Sequence, residues 1–132
     1  MKGKLFYILI ITICLFGCHS NAIYFDIEQQ TVVGCDGAIS DLYIESKDYL
    51  DYLHFTTLPE KKSSRTFSLK ELNKNYSVTI RGGNFDLNNF KLRPETEYEI
   101  INHSNGDAGG GNLLIRTDKH GVVIYASRTS CE

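Results

Sequence analysis

Leu92 to Ser127, LRPETEYEIINHSNGDAGGGNLLIRTDKHGVVIYAS, decides the fold. From Thr96 to His103 the side chains alternate. Tyr98, Ile100 and Asn102 fall on one side; Glu97, Glu99, Ile101 and His103 fall on the other. A period of two is the signature of a strand with one buried face. Asn112 to Thr117 and Val122 to Ala126 are rich in Val, Ile and Leu, so each predicts a strand with at least one covered face. The loop between them, Asp118-Lys119-His120-Gly121, is short, polar and closed by glycine. That composition suits a type I turn ending in a left-handed residue, and predicts a hairpin.

The run Leu92-x-Pro94-x-Thr96-x-Tyr98-x-Ile100 resembles the tyrosine corner of fibronectin type III and other immunoglobulin-like sandwiches. In those folds the tyrosine hydroxyl bonds back to the backbone just upstream and pins a strand that crosses between sheets. The resemblance implies a structural corner built by Leu92, Pro94 and Tyr98, with the hydroxyl reaching the backbone near Leu92 to Pro94. Proline has no N–H and a fixed φ, which suits a corner better than a strand interior. The motif speaks for a sandwich and says nothing of function.

Working outward, the remaining segments read the same way. Ala22 to Glu28 predicts a strand with Ile23, Phe25 and Ile27 on one face; Gln29-Gln30 interrupts it, and Thr31 to Cys35 follows as a short apolar strand. Asp36-Gly37 marks a tight turn. Leu42 to Ser46 predicts a strand with Leu42 and Ile44 inward. Ser46 to Thr57 is ambiguous, because Ser46 has the chemistry of a helix cap. Its aromatic residues and threonine pair favour a strand. Arg65 to Leu69 suits an edge strand, Lys70 to Asn75 suits one helical turn, and Tyr76 to Arg81 alternates with Tyr76, Val78 and Ile80 inward. Short strands separated by frequent turns describe an all-β chain, a small antiparallel β-sandwich of immunoglobulin or fibronectin III type.

The 132 residues are the length of one domain. Lys2 and Lys4 precede an apolar run from Leu5 to Phe16. That run is shorter than the ~20 residues a membrane-spanning helix needs and fits an export leader. It ends in Leu15-Phe16-Gly17-Cys18, which resembles a bacterial lipobox. The resemblance implies a signal peptide over 1–17, lipid attachment at Cys18, a linker over 18–22 and the sandwich domain over 23–132. His19, where an aspartate would signal retention, implies anchoring to the outer membrane, facing the periplasm. The rival is cleavage after Ser20-Asn21-Ala22, a small-x-small site. Loss of 1–17 takes two of the 14 basic residues and none of the 16 acids, leaving a net charge of −4. Such a domain lacks the basic footprint of a nucleic-acid binder. Cys35 and Cys131 survive either cleavage, and two cysteines in an exported domain predict a disulfide.

The sequence holds no catalytic constellation. His19, His54, His103 and His120 have no metal-ligand spacing, and there is no nucleophile elbow or phosphate loop. No enzyme activity, metal or cofactor is expected. The residues that suggest contact with a partner are Tyr49 and Tyr52, which stand among acids, and the run from Asn105 to Gly111. In that run Asn105, Asp107, Gly109 and Gly110 would suit a mobile binding loop, or a plain flexible connection.

Taken together, the LFGC site, the cysteine pair, Tyr98-Glu99-Ile100 before a glycine-rich gap, and Leu114-Ile115-Arg116-Thr117-Asp118-x-x-Gly121-Val122-Val123 resemble small enterobacterial lipoproteins proposed as type VI secretion immunity proteins. The likeness concentrates in residues 92–124. It implies a periplasmic, lipid-anchored protein that neutralises a secreted toxin by covering its active site. The alternative expectation is an envelope or carbohydrate-binding accessory lipoprotein.

Overall fold

A computed structural model describes residues 20–132. The leader and Cys18 lie outside the described residues. Nine strands form two antiparallel sheets packed as a sandwich: β1 (Ile23–Asp26), β2 (Thr31–Gly34), β3 (Asp41–Ser46), β4 (Tyr52–Thr57), β5 (Thr66–Ser68), β6 (Tyr76–Gly82), β7 (Glu97–Asn102), β8 (Asn112–Thr117) and β9 (Val123–Ala126). The small sheet has the order β1-β2-β5 and the large one β6-β4-β3-β7-β8-β9.

Alternation explains which residues meet. Ile23, Phe25, Val32 and Phe67 of the small sheet are buried against Leu42, Ile44, Phe55, Tyr98, Ile100 and Ile115 of the large one. The ring of Phe67 lies 4.8 Å from that of Phe55 and makes an edge contact with Tyr76. Tyr98, Ile100 and Asn102 all point inward, as the alternation predicts. The ambiguous segment from Ser46 to Thr57 resolves as the favoured strand, β4, while Ile80 and Lys70 to Asn75 depart from expectation. Ser46 caps no helix: its hydroxyl accepts the amide of Asp51 at 2.9 Å and donates to Asp48, tying off a turn between β3 and β4. Ile80 is 37 % exposed on β6, the strand that ends the large sheet. Lys70 to Asn75 makes bends and a turn, not a helix.

The sheets are also joined by polar groups. Gln30 sits in the β1–β2 turn with φ of 51° and is 7 % exposed. Its amide accepts from Val123 N at 2.8 Å and donates to Val123 O at 2.9 Å. One side chain thus replaces a neighbouring peptide along the edge of β9. Gln30→Ala strips both groups of their partner, and should lower stability by about 2 kcal/mol in urea unfolding. A loss below ~0.5 kcal/mol, the range of ordinary surface substitutions, would show that water replaces the amide at no cost.

Cys35 and Cys131 form a disulfide with Cα atoms 5.6 Å apart, across a sequence separation of 96. The last residues cross from β9 to the small sheet, where Arg128 O accepts the amide of Phe25 at 3.0 Å. The C-terminal segment therefore occupies the outer edge of β1, and the bridge fastens it there.

Candidate functional site

The loops collect at two poles of the sandwich. Along β7 the two poles are five residue steps apart, roughly 17 Å. One pole holds the 47–51 turn, the approach to the corner at 83–96, and the 118–122 turn. The other holds residues 20–22, the 103–111 loop and the disulfide. This division follows from the pairing: Ser46 faces Tyr98 at one end of β3 and β7, and Leu42 faces Asn102 at the other.

At the first pole, the Tyr98 hydroxyl accepts the amide of Arg93 at 3.0 Å. It also donates to Asp51 Oδ2 at 2.5 Å. Asp51 is 4 % exposed and accepts Arg93 Nε at 3.2 Å, while Arg93 Nη2 reaches Asp48 at 2.8 Å. Burial, then the Asp51 hydrogen bond, pushes the Tyr98 phenol well above its ordinary range. The guanidinium of Arg93 and the Ser46 hydroxyl hold the Asp48 carboxyl well below its ordinary range. Both shifts come from one network that clamps the base of the 47–51 turn.

The tip of that turn is the opposite of its base. Tyr49 is 79 % exposed and Leu50 62 % exposed. Tyr49 has φ of 62°, a conformation that costs a bulky residue on the order of 1–2 kcal/mol. The hydrogen bonds of Ser46, Asp48 and Asp51 hold it there. A strained, exposed aromatic on an over-determined turn is the pattern expected of a contact residue. Acids surround it. Glu45 and Glu99 stand directly opposite each other in register, an unfavourable like-charge pair that Lys47 offsets with a 3.3 Å bond to Glu99. Behind the turn lies a cleft of about 370 Å³, lined by Asp51, Phe85, Lys91, Leu92, Arg93 and others. A second cleft of about 290 Å³ shares Lys91 and Leu92 with it and extends to Leu69, Phe90 and Val122. In the intervening turn, Asp118 accepts the amides of His120 and Val122, so Asp118 and His120 act as turn formers. Gly121, with φ of 77°, closes it, and a Cβ there would meet Leu92 O at 2.3 Å.

The other sequence-derived candidates lie elsewhere. Tyr52 stands on the outer face of the large sheet with the Arg81 guanidinium 5.4 Å from its ring centre. Asn105, Asp107, Gly109 and Gly110 lie at the far pole, wrapped around Asn21. Asn21 is 1 % exposed. Its side chain donates to Gly106 O at 2.9 Å and Ala108 O at 2.7 Å, and accepts Asn105 N at 2.7 Å. Its amide bonds Gly109 O at 3.0 Å. The loop is therefore fastened to a buried asparagine, with Gly106, Asp107, Gly109 and Gly110 left exposed. Two of the three successive glycines have a backbone or steric reason: Gly110 has φ of 85°, and Gly111 has no room for a side chain. A Cβ on Gly111 would lie 2.3 Å from Asn102 O and 2.9 Å from the Asn21 side chain. Residues 20–22, expected as linker, are built into the domain.

Sequence reading missed Asn21, Asp51 and Arg93. An asparagine in a leader-proximal segment and an acid within a strand pattern have no local mark of burial. Among the described residues, no group of three or more His, Cys, Asp or Glu side chains is placed to hold a metal. No family model, curated protein or solved structure matches this chain.

Proposed function

We propose that this chain is an exported, non-enzymatic binding protein that presents the Tyr49–Leu50 turn to a protein partner. In the setting implied by the LFGC site, it is a periplasmic lipoprotein that neutralises a secreted toxin, in the manner of a type VI secretion immunity protein. The observation that carries the reading is Tyr49: nearly fully exposed, at positive φ, on a turn whose base is locked by five side chains (Ser46, Asp48, Asp51, Arg93 and Tyr98). Interfaces draw most of their affinity from a few rigid aromatic anchors, and a pre-formed turn loses little entropy on binding. Asp48 and Glu99 are ion-paired with Arg93 and Lys47, and Glu97 faces Arg116 across the strands, so the turn offers its aromatic side chain more than net charge.

The outer face of the large sheet lends no support to sugar binding. Tyr43 and His54 are cross-strand partners stacked at 4.0 Å with an interplanar angle of 7°. Rings stacked along the sheet turn their edges to solvent, whereas a sugar platform needs a face.

Two measurements test the reading. The full chain, expressed with its leader, should co-purify with the product of a neighbouring gene and relieve the growth defect that product causes in the periplasm. Tyr49→Asn should abolish that protection and weaken binding by 2 kcal/mol or more, on the order of 30-fold. Because asparagine tolerates the left-handed region, the same variant should leave the fold as stable as before, or raise it by roughly 0.5–1 kcal/mol. Failure of every neighbouring product to bind would overturn the proposal.

A further inference from the structure

We infer that the leader is removed upstream of Ser20, and that the pole carrying the 103–111 loop faces the lipid surface, leaving the Tyr49 pole directed away from it. The inference deepens the proposed function by assigning which end of the sandwich is free for a partner. It rests on the export reading.

The first half follows from Asn21. Its side chain supplies two donors and an acceptor to the backbone of the 105–108 segment, and its own carbonyl accepts Asn102 Nδ2 at 3.0 Å. Ser20 adds a carbonyl that accepts Asn105 Nδ2 at 2.6 Å and an amide that bonds Asp36 at 2.5 Å. Cleavage after Ala22 would remove all of these groups. The buried Nδ2 of Asn102 would then lose its Asn21 partner, an arrangement that folded proteins avoid, and the 105–109 backbone would lose four bonds that shape it. Cleavage before Cys18 keeps every one. Of the two processing sites that the sequence allows, only the upstream one leaves the domain whole.

The second half is a matter of reach. Cys18 precedes Ser20 by two residues. At ~3.3–3.6 Å per residue, a lipid on Cys18 is held within roughly 7 Å of the point where the chain enters the fold. That point lies beside Gly109 and Asp36. So short a tether gives the domain little freedom to turn over. The loop pole, with the Cys35–Cys131 bridge, is then apposed to the bilayer. The Tyr49 turn stands roughly 17 Å or more farther out, the length of the strands between.

The test uses the full chain produced with its leader in a Gram-negative cell. Intact mass of the membrane-fraction protein should give an N-terminus at Cys18 with added acyl mass. A mature N-terminus at Ile23 would overturn the first half. A product that keeps Met1 would overturn the export reading on which both halves rest. For orientation, Asp107→Cys and Tyr49→Cys, each labelled with a small fluorophore while the native bridge stays oxidised, are reconstituted in vesicles containing brominated phospholipid. The label at 107 should be quenched several-fold more than the label at 49. Equal or reversed quenching would overturn the second half. These results do not depend on a toxin: a loop-down orientation with no partner binding at Tyr49 would sink the immunity proposal alone. In hydrogen exchange, Asn21→Ala should speed the amides of 105–109 by at least tenfold while the β3–β7 ladder stays protected. Unchanged exchange would show that Asn21 does not hold the loop.

Discussion

Replacing both Cys35 and Cys131 with serine is expected to lower the stability of the domain by about 2–5 kcal/mol. The bridge spans a sequence separation of 96. In the chain-entropy account a loop of ~100 residues corresponds to nearly 5 kcal/mol, and native proteins usually realise somewhat less. Here the bridge has a second role. It fastens the segment that reaches from β9 to the edge of β1, where Phe25 N bonds Arg128 O. Reduction should therefore free residues 127–132 first and uncover the outer edge of β1, an unpaired strand edge that invites aggregation. Urea unfolding of the oxidised chain and the double-serine variant gives the magnitude. Hydrogen exchange at Phe25 gives the order of events. A difference under 1 kcal/mol, or a Phe25 amide as protected as before, would mean that the sheets hold the tail without the bridge.

Tyr98→Phe is expected to cost about 2–3 kcal/mol, although it removes one oxygen. That oxygen accepts Arg93 N and donates to Asp51, a carboxylate with 4 % of its surface exposed. Without it Asp51 keeps only Arg93 among its side-chain donors, and a buried charge is left under-solvated. The variant also has a pH signature. The folded state holds the Tyr98 proton more tightly than the unfolded chain does. The hydroxyl's contribution is thus fully present below the ordinary tyrosine pKa of ~10, and is lost as pH rises beyond it. The stability gap between the wild-type chain and Tyr98→Phe should be constant through neutral pH and narrow above pH ~10. Asp48 behaves in the opposite sense. Its pKa is depressed by Arg93 and Ser46, so its contribution is present above the ordinary carboxylate value of ~4 and fades as pH falls below it. A gap that stays constant into alkali would separate Tyr98 from the buried network.

The alternation of Tyr98, Ile100 and Asn102 was legible because it depends only on neighbours two apart, and so were the β8–β9 hairpin and the inward faces of β1 and β3. Ile80 was not: its pattern matches that of Ile100, but β6 ends the sheet while β7 is flanked by β3 and β8. Tyr49 stood out as an aromatic among acids, yet its positive φ was not legible: it is set by the hydrogen bonds of Ser46, Asp48 and Asp51 within the turn, whose base Arg93 and Tyr98 brace from a distant segment. The glycine-rich loop was noticed for its composition, but what fastens it was not legible. Its partner, Asn21, lies 84 residues before Asn105.

By itself, then, the amino-acid order determined an all-β sandwich, the faces of its strands, the corner tyrosine and the pairing of the two late cysteines. These rest on short-range periodicity, on the chemistry of single residues and on a count of two. Only the tertiary structure decided which loops share a pole, that Asn21 and Asp51 are interior, and that the tyrosine turn and the glycine loop point in opposite directions. Those facts depend on strand order and on backbone carbonyls contributed by distant segments, and no local pattern encodes where a distant carbonyl will be.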